Sequence, residues 1–111
     1  AHDVLLAASS HLPHVVATAL MHVVCGKAYD GVPAARLGGA GLRDTTRVAL
    51  GSSDIWTPIV TSNSEPVAAM VERMADELAQ LASRLRRGDV TAVGAWLERG
   101  RELRAEITDD I

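Results

Sequence analysis

Two short polar clusters interrupt an otherwise apolar sequence: Ser10-His11-Leu12-Pro13-His14, and Gly41-Leu42-Arg43-Asp44-Thr45-Thr46-Arg47 after a glycine-rich stretch. Imidazoles and guanidiniums among apolar neighbours are costly to desolvate, so they either find hydrogen-bond partners or line a cavity that receives a polar ligand. His11 and His14 have the spacing of neighbours on a helix, and His2 stands close enough in sequence to approach them from a preceding turn. That is the beginning of a metal site. The segment offers no Glu and no thiol near enough, however, and Pro13 distorts the helix that would hold the geometry, so no metal ligand is assigned. Ser10 beside His11 is a poor nucleophile pair, because adjacent helical residues diverge by ~100° and no strained elbow surrounds them. No catalytic residue is assigned either.

Arg43 and Arg47 share a helix face, and Asp44 is placed to offset one of them. The residues alone leave two readings: a solvated charged face, or Arg47 turned toward the Pro13 kink, where its guanidinium fork would grip a carboxylate. The histidines are equally open between core imidazoles bonded to backbone or water and the walls of a pocket. Residues 38–41 make a poor phosphate loop, since the glycine spacing is incomplete and no strand precedes them.

The elements that must position these groups are helical. Apolar residues occur on nearly all sides between residues 4 and 24, the pattern of a central helix surrounded by protein. Pro13 inside it predicts a kink or a fresh helix start, and Gly26 followed by Asp30-Gly31-Val32-Pro33 predicts its end. A short helix over residues 42–50 follows, then one capped by Ser52-Ser53-Asp54, then one announced by Asn63-Ser64-Glu65-Pro66. Val67, Val71, Met74, Leu78, Leu81 and Leu85 form a seam spaced by fours and threes. After Gly88-Asp89 the idea repeats from Val90 to Ile107, broken only by Gly100, so the last two helices form an antiparallel hairpin. The expected fold is all-α, with the chemistry in the first half.

Composition agrees. A chain of 111 residues that is 48% hydrophobic makes one domain, and with 3% aromatics and no Phe its core must come from aliphatic side chains, which favours packed helices. The net charge of -3 gives no electrostatic reason to bind nucleic acid or an anionic membrane. Arg84-Leu85-Arg86-Arg87, the only basic cluster, precedes Gly88, where cations complement a helix C-terminus. Cys25 is the only cysteine, which excludes an intrachain disulfide and fits a reducing cytoplasm. No signal peptide is visible in this sequence, and His11, His14, His22 and Lys27 are expected to interrupt the only candidate membrane run. The chain begins at Ala1 rather than Met, as expected of a piece of a longer protein.

His2-Asp3, Ser10 to His14, the approach to Leu42-Arg43-Asp44-Thr45-Thr46-Arg47, and Ser53-Asp54-Ile55-Trp56 followed by Asn63 form an ordered series. In order and spacing it resembles the C-terminal helical domain of the prephenate and arogenate dehydrogenases of tyrosine biosynthesis, over nearly the whole chain. Leu42 departs from the Phe frequent in that family. The resemblance implies a fold like the C-terminal domain of 6-phosphogluconate dehydrogenase, with a central buried helix and a C-terminal hairpin. Residues 1–111 would be one substrate-binding and dimerisation domain, and a nucleotide-binding domain would lie N-terminal to them. The parent enzyme would use NAD or NADP to oxidise and decarboxylate a cyclohexadienyl substrate, as a cytoplasmic homodimer without nucleic-acid or membrane partners. Arg47 would grip a substrate carboxylate, Ser10 and His14 would line the same pocket, and His11 and His2 would lie close by. The catalytic histidine would belong to the other domain, so this segment alone would be inactive. Asp3 and Trp56, which adjoin the polar clusters in sequence, are candidates to reach a partner subunit. Two other expectations compete: a stand-alone helical module that dimerises along the seam of residues 67–85 without a ligand, and a metal-binding bundle built on His2, His11 and His14.

Overall fold

The computed structural model of the chain describes residues 2–26, 28–29, 32–33, 36 and 38–107. Helix α1 (His2–Leu6) passes through one π-helical turn (Ala7–His11) into α2 (Leu12–Cys25). The π turn is the chain's answer to Pro13. A proline has no amide proton and its ring crowds the carbonyl four residues back; here the Leu12 amide bonds to the Ala7 carbonyl instead, and Pro13 falls in the first turn of a restarted helix, where it is tolerated. The predicted kink is thus a fresh start preceded by a widened turn.

Beyond Gly26, a two-residue antiparallel pair joins β1 (Ala28–Tyr29) to β2 (Val32–Pro33), with Ala28 opposite Pro33 and Tyr29 opposite Val32. Lys27, Asp30 and Gly31 lie outside the described residues. Helix α3 (Gly39–Thr46) runs into a 3-10 turn (Arg47–Leu50), and both pack on α2. The helix expected over residues 42–50 therefore starts earlier and tightens at its end. Helix α4 (Ser53–Thr61) follows Ser52, whose backbone carbonyl accepts from Ile55 and Trp56 while its hydroxyl makes no cap bond. Helix α5 (Ser64–Arg86) begins where the Asn63 signal put it, and α6 (Val90–Glu106) closes the chain.

The chain divides into two compact units, residues 1–72 and 73–111, with the boundary inside α5. In the second unit the turn between α5 and α6 closes as expected: Gly88 adopts φ +67°, the Asp89 amide reaches back to the Arg84 carbonyl, and the Asp89 carboxylate accepts from the Ala92 amide at 3.0 Å. Trp96 Nε1 on α6 donates to Glu77 Oε1 on α5 at 2.6 Å. Gly100 does not break α6; the helix continues through it to Glu106, because one glycine costs less than the bonds on either side return. On the exposed face of α6 the Arg101 guanidinium holds the Glu98 carboxyl below its usual 4.5. That contribution is complete above the ordinary carboxylate value and disappears as pH falls through the depressed one.

The apolar helices are less enclosed than their sequence implies. Among the described residues of the first unit the buried apolar side chains are Ala7, Ala17 and Val67, joined by the polar His11, His14, Thr46 and Asn63. Leu5 is 65% exposed and Val23 66%, so the expected central helix is covered on one side only. The run His2–Cys25, with mean hydropathy 1.5, is also long and apolar enough to cross a membrane by length and composition, contrary to the expectation that its histidines interrupt it. On the seam, Val71, Leu78 and Leu85 are exposed.

Two glycines of the hairpin should respond in opposite directions. Gly88→Ala forces a β-carbon into a left-handed conformation and should lower stability by about 1–2 kcal/mol. Gly100→Ala meets open space in a helical position and should raise stability by roughly 0.5–1 kcal/mol. Chemical denaturation of the two variants checks both signs.

Candidate functional site

The polar core of the first unit draws on α1, the π turn, α2, α4 and the turns that precede α4 and α5. His11 ends the π turn and His14 lies one turn further on, both buried. Trp56, carried by α4, stacks on His14 with ring centroids 3.9 Å apart and planes 13° from parallel, and stands nearly perpendicular to His11 at 6.4 Å. Asn63, in the turn before α5, sends its amide nitrogen to the Asp3 backbone carbonyl at 2.9 Å and to His11 Nδ1 at 3.2 Å. Gly51 closes the far side: a β-carbon there would stand 2.8 Å from Trp56 Nε1 and 3.1 Å from His14 Cε1. Only glycine lets the backbone pass this close to the stack.

Two grooves flank this core. The larger, about 660 Å³, runs between the C-terminal half of α2 and the α3 region, and is lined by Thr18, His22 and Cys25 on one side and Arg43, Thr46 and Arg47 on the other. The smaller, about 470 Å³, is lined by His14 and Trp56 together with Ser53 and Thr57. Thr18, His22 and Ala49 belong to both. Thr46, between the two arginines in sequence, is buried and donates its hydroxyl to the Leu42 carbonyl one turn back at 2.6 Å.

The structure brings together only part of the set read from sequence. His11, His14 and Trp56 meet. Arg47 is exposed and faces the Thr18 to Gly26 stretch of α2; neither Pro13 nor His14 lines its groove. Ser10 and His2 are exposed and line neither groove. Asp3 is exposed and takes part through its backbone carbonyl, while Trp56 spends one face on His14 of its own chain. Among the described residues, no group of three or more His, Cys, Asp or Glu side chains is placed to hold a metal ion. Sequence reasoning missed Gly51, Thr46 and the long-range role of Asn63. It also passed over His22, although His14, Thr18, His22 and Cys25 recur by fours and a three on one face of α2.

Comparison with known proteins places this arrangement in a family. The family described as "Prephenate dehydrogenase, dimerization domain" matches residues 1–99, and the chain belongs to it. The prephenate dehydrogenase of Lactococcus lactis subsp. cremoris (strain MG1363) is 29% identical over 103 residues, covering 93% of this chain and 29% of that protein. The cyclohexadienyl dehydrogenase of Zymomonas mobilis subsp. mobilis (strain ATCC 31821 / ZM4 / CP4) is 33% identical over 81 residues, 72% of this chain and 28% of that protein. The chain therefore spans under a third of the length of these relatives. Among solved structures, prephenate dehydrogenase from A. aeolicus in complex with hydroxyphenyl propionate and NAD+ superposes with a TM-score of 0.86 at 29% identity, over 96% of this chain and 37% of that one. Synechocystis arogenate dehydrogenase superposes with a TM-score of 0.88 at 26% identity, over 96% and 39%.

Because Gly51 has no room for a side chain, Gly51→Ala should push the indole off His14 and cost about 1–3 kcal/mol, the usual penalty for overpacking a filled site. Loss of the Trp56 near-ultraviolet circular dichroism band, with α-helical content retained, is the expected signature.

Proposed function

We propose that this chain is the substrate-binding and dimerisation segment of an NAD- or NADP-dependent dehydrogenase that oxidatively decarboxylates prephenate or arogenate. The observation that carries the reading is the larger groove: Arg43 and Arg47 stand on one wall of a space otherwise rich in apolar surface, which suits a compact ring bearing a carboxylate. Hydroxyphenyl propionate, bound in the A. aeolicus enzyme, has that chemistry. Arg47 supplies the two-pronged grip on the carboxylate, with Arg43 adding charge. The His14–Trp56 stack provides a flat wall in the adjoining groove and excludes water there.

The nicotinamide cofactor accepts the hydride in such a reaction, but the residues described here do not fit it. The glycine-rich start of α3 follows an antiparallel two-residue pair rather than the strand of a dinucleotide-binding turn, so we assign the cofactor and the catalytic acid–base chemistry to a nucleotide-binding region N-terminal to this segment. The segment alone is then inactive, and residues 1–111 act as a substrate-binding and dimerisation domain. The exposed apolar faces of α1, α2 and α5 are read as surfaces covered by a second copy of the protein. The membrane alternative for His2–Cys25 is disfavoured by a helix that spends two histidines on a bonded polar core. A cytoplasmic location follows from this reading.

Two measurements test it. Burial of the exposed apolar side chains between copies, at ~25 cal/mol per Å² of apolar area, predicts a homodimer; light scattering that finds a stable monomer at micromolar concentration would remove the dimer. In the full-length enzyme, Arg47→Ala should raise KM for the cyclohexadienyl substrate by about 10- to 100-fold with a smaller fall in kcat, because the contact acts away from the reacting carbon. KM for the nicotinamide should stay nearly constant. An unchanged substrate KM would make Arg47 a solvated arginine and sink the assignment.

A further inference from the structure

We propose that Asn63 is the positioning residue of this site: its side-chain amide locks His11 as the neutral Nε2–H tautomer and, through that ring, holds Trp56 flat on His14. The Asp3 carbonyl can only accept, so the group that faces it at 2.9 Å is the amide nitrogen and not the amide oxygen. That nitrogen carries a second proton, and its other neighbour is His11 Nδ1 at 3.2 Å. Nδ1 must therefore present its lone pair, which leaves the ring proton on Nε2. The reverse tautomer would set two N–H groups against each other in a buried contact. Both protons of one amide are thus used, on acceptors 60 and 52 residues away in sequence.

The consequence for the site comes through packing. His11 is buried and stands at 86° to the Trp56 ring, while the other face of the environment is closed by Gly51. The His11 ring edge and the Gly51 backbone both bound the indole, which lies on His14 at 3.9 Å. Asn63 touches neither His14 nor the grooves, so it acts through other residues. The proposal adds a residue to the site under "Proposed function", and its link to substrate rests on that reading; the tautomer does not.

The test uses the full-length protein with histidine labelled by nitrogen-15 and read by solid-state NMR, with a His11→Gln sample assigning the His11 signals. The expected result is an unprotonated Nδ1 and a protonated Nε2 on His11. Asn63→Asp keeps the shape of the amide but removes both donors. It should protonate His11 Nδ1 and alter the emission of Trp56, measured in a Trp96→Phe background. Asn63→Ala should release the stack and raise the substrate KM by about 3- to 10-fold while kcat changes less. Asn63→Gln, which retains the donors, should recover part of the lost KM. A His11 ring protonated on Nδ1 in the unmutated protein would overturn the proposal, and so would an Asn63→Asp protein with unaltered His11 signals. If the tautomer results hold and the protein oxidises neither prephenate nor arogenate, the functional reading fails while the role of Asn63 in the fold stands.

Discussion

A proline in the middle of an apolar helix sets the terms for the rest of this structure. Pro13 cannot donate a backbone hydrogen bond and needs room where the Ser9 carbonyl would otherwise stand. The helix meets both demands by widening one turn before it, with the Leu12 amide bonded to the Ala7 carbonyl and the Ser9 hydroxyl bonded to the Leu5 carbonyl at 2.7 Å. His11 ends the widened turn and His14 lies in the first turn of the regular helix after it, and both imidazoles are buried in the same core. Everything that packs there is chosen for polar or planar partners: an amide for His11, an indole for His14, and a glycine where nothing larger fits. Such π turns recur at functional sites because they re-aim side chains without ending the helix.

A core made this way is specified by direction more than by bulk. Ala7, Ala17 and Val67 bury little apolar area, and burying His11, His14, Thr46 and Asn63 repays desolvation only when their bonds are made. No buried side-chain nitrogen or oxygen among the described residues lacks a partner. The apolar side chains that would normally supply the driving force, such as Leu5, Val23 and Leu78, face outward. A helix that is apolar on all sides but covered on one is the pattern of a surface intended for another protein surface. The family model that matches residues 1–99 is described as a dimerization domain.

Most element boundaries were legible because their signals are local. The turn at Gly88-Asp89, the Asn63-Ser64-Glu65-Pro66 start and the alternating spacing along α5 all act within a few residues, and the helices they announce appear where expected. The fresh helix start at Pro13 was one of the two readings the sequence offered, but the π turn before it was not read, since a proline states that the ladder must be broken and not how. Burial was overestimated because an apolar pattern does not say whose surface covers it. Gly100 was read as a break because propensity was weighed without the helical bonds on either side of it. The polar residues of the site were visible by type, but their pairing was not: an amide that reaches acceptors 52 and 60 residues away leaves no periodic trace. Arg47, expected in one pocket with His14, lines the larger groove, while Ala49 from the same 3-10 turn lines the smaller one beside His14.

The two sides of the site differ in how much order they already possess. On one side His11, His14, Trp56 and Asn63 are held by rings in contact and by bonds that use both amide protons, so little conformational entropy remains to be lost there when a ligand arrives. On the other, Arg43 and Arg47 are exposed, and each long side chain gives up roughly 2 kcal/mol of rotamer freedom when it is fixed. The stacked rings line the smaller groove and the two adaptable cations line the larger one, and the two grooves meet at Thr18, His22 and Ala49.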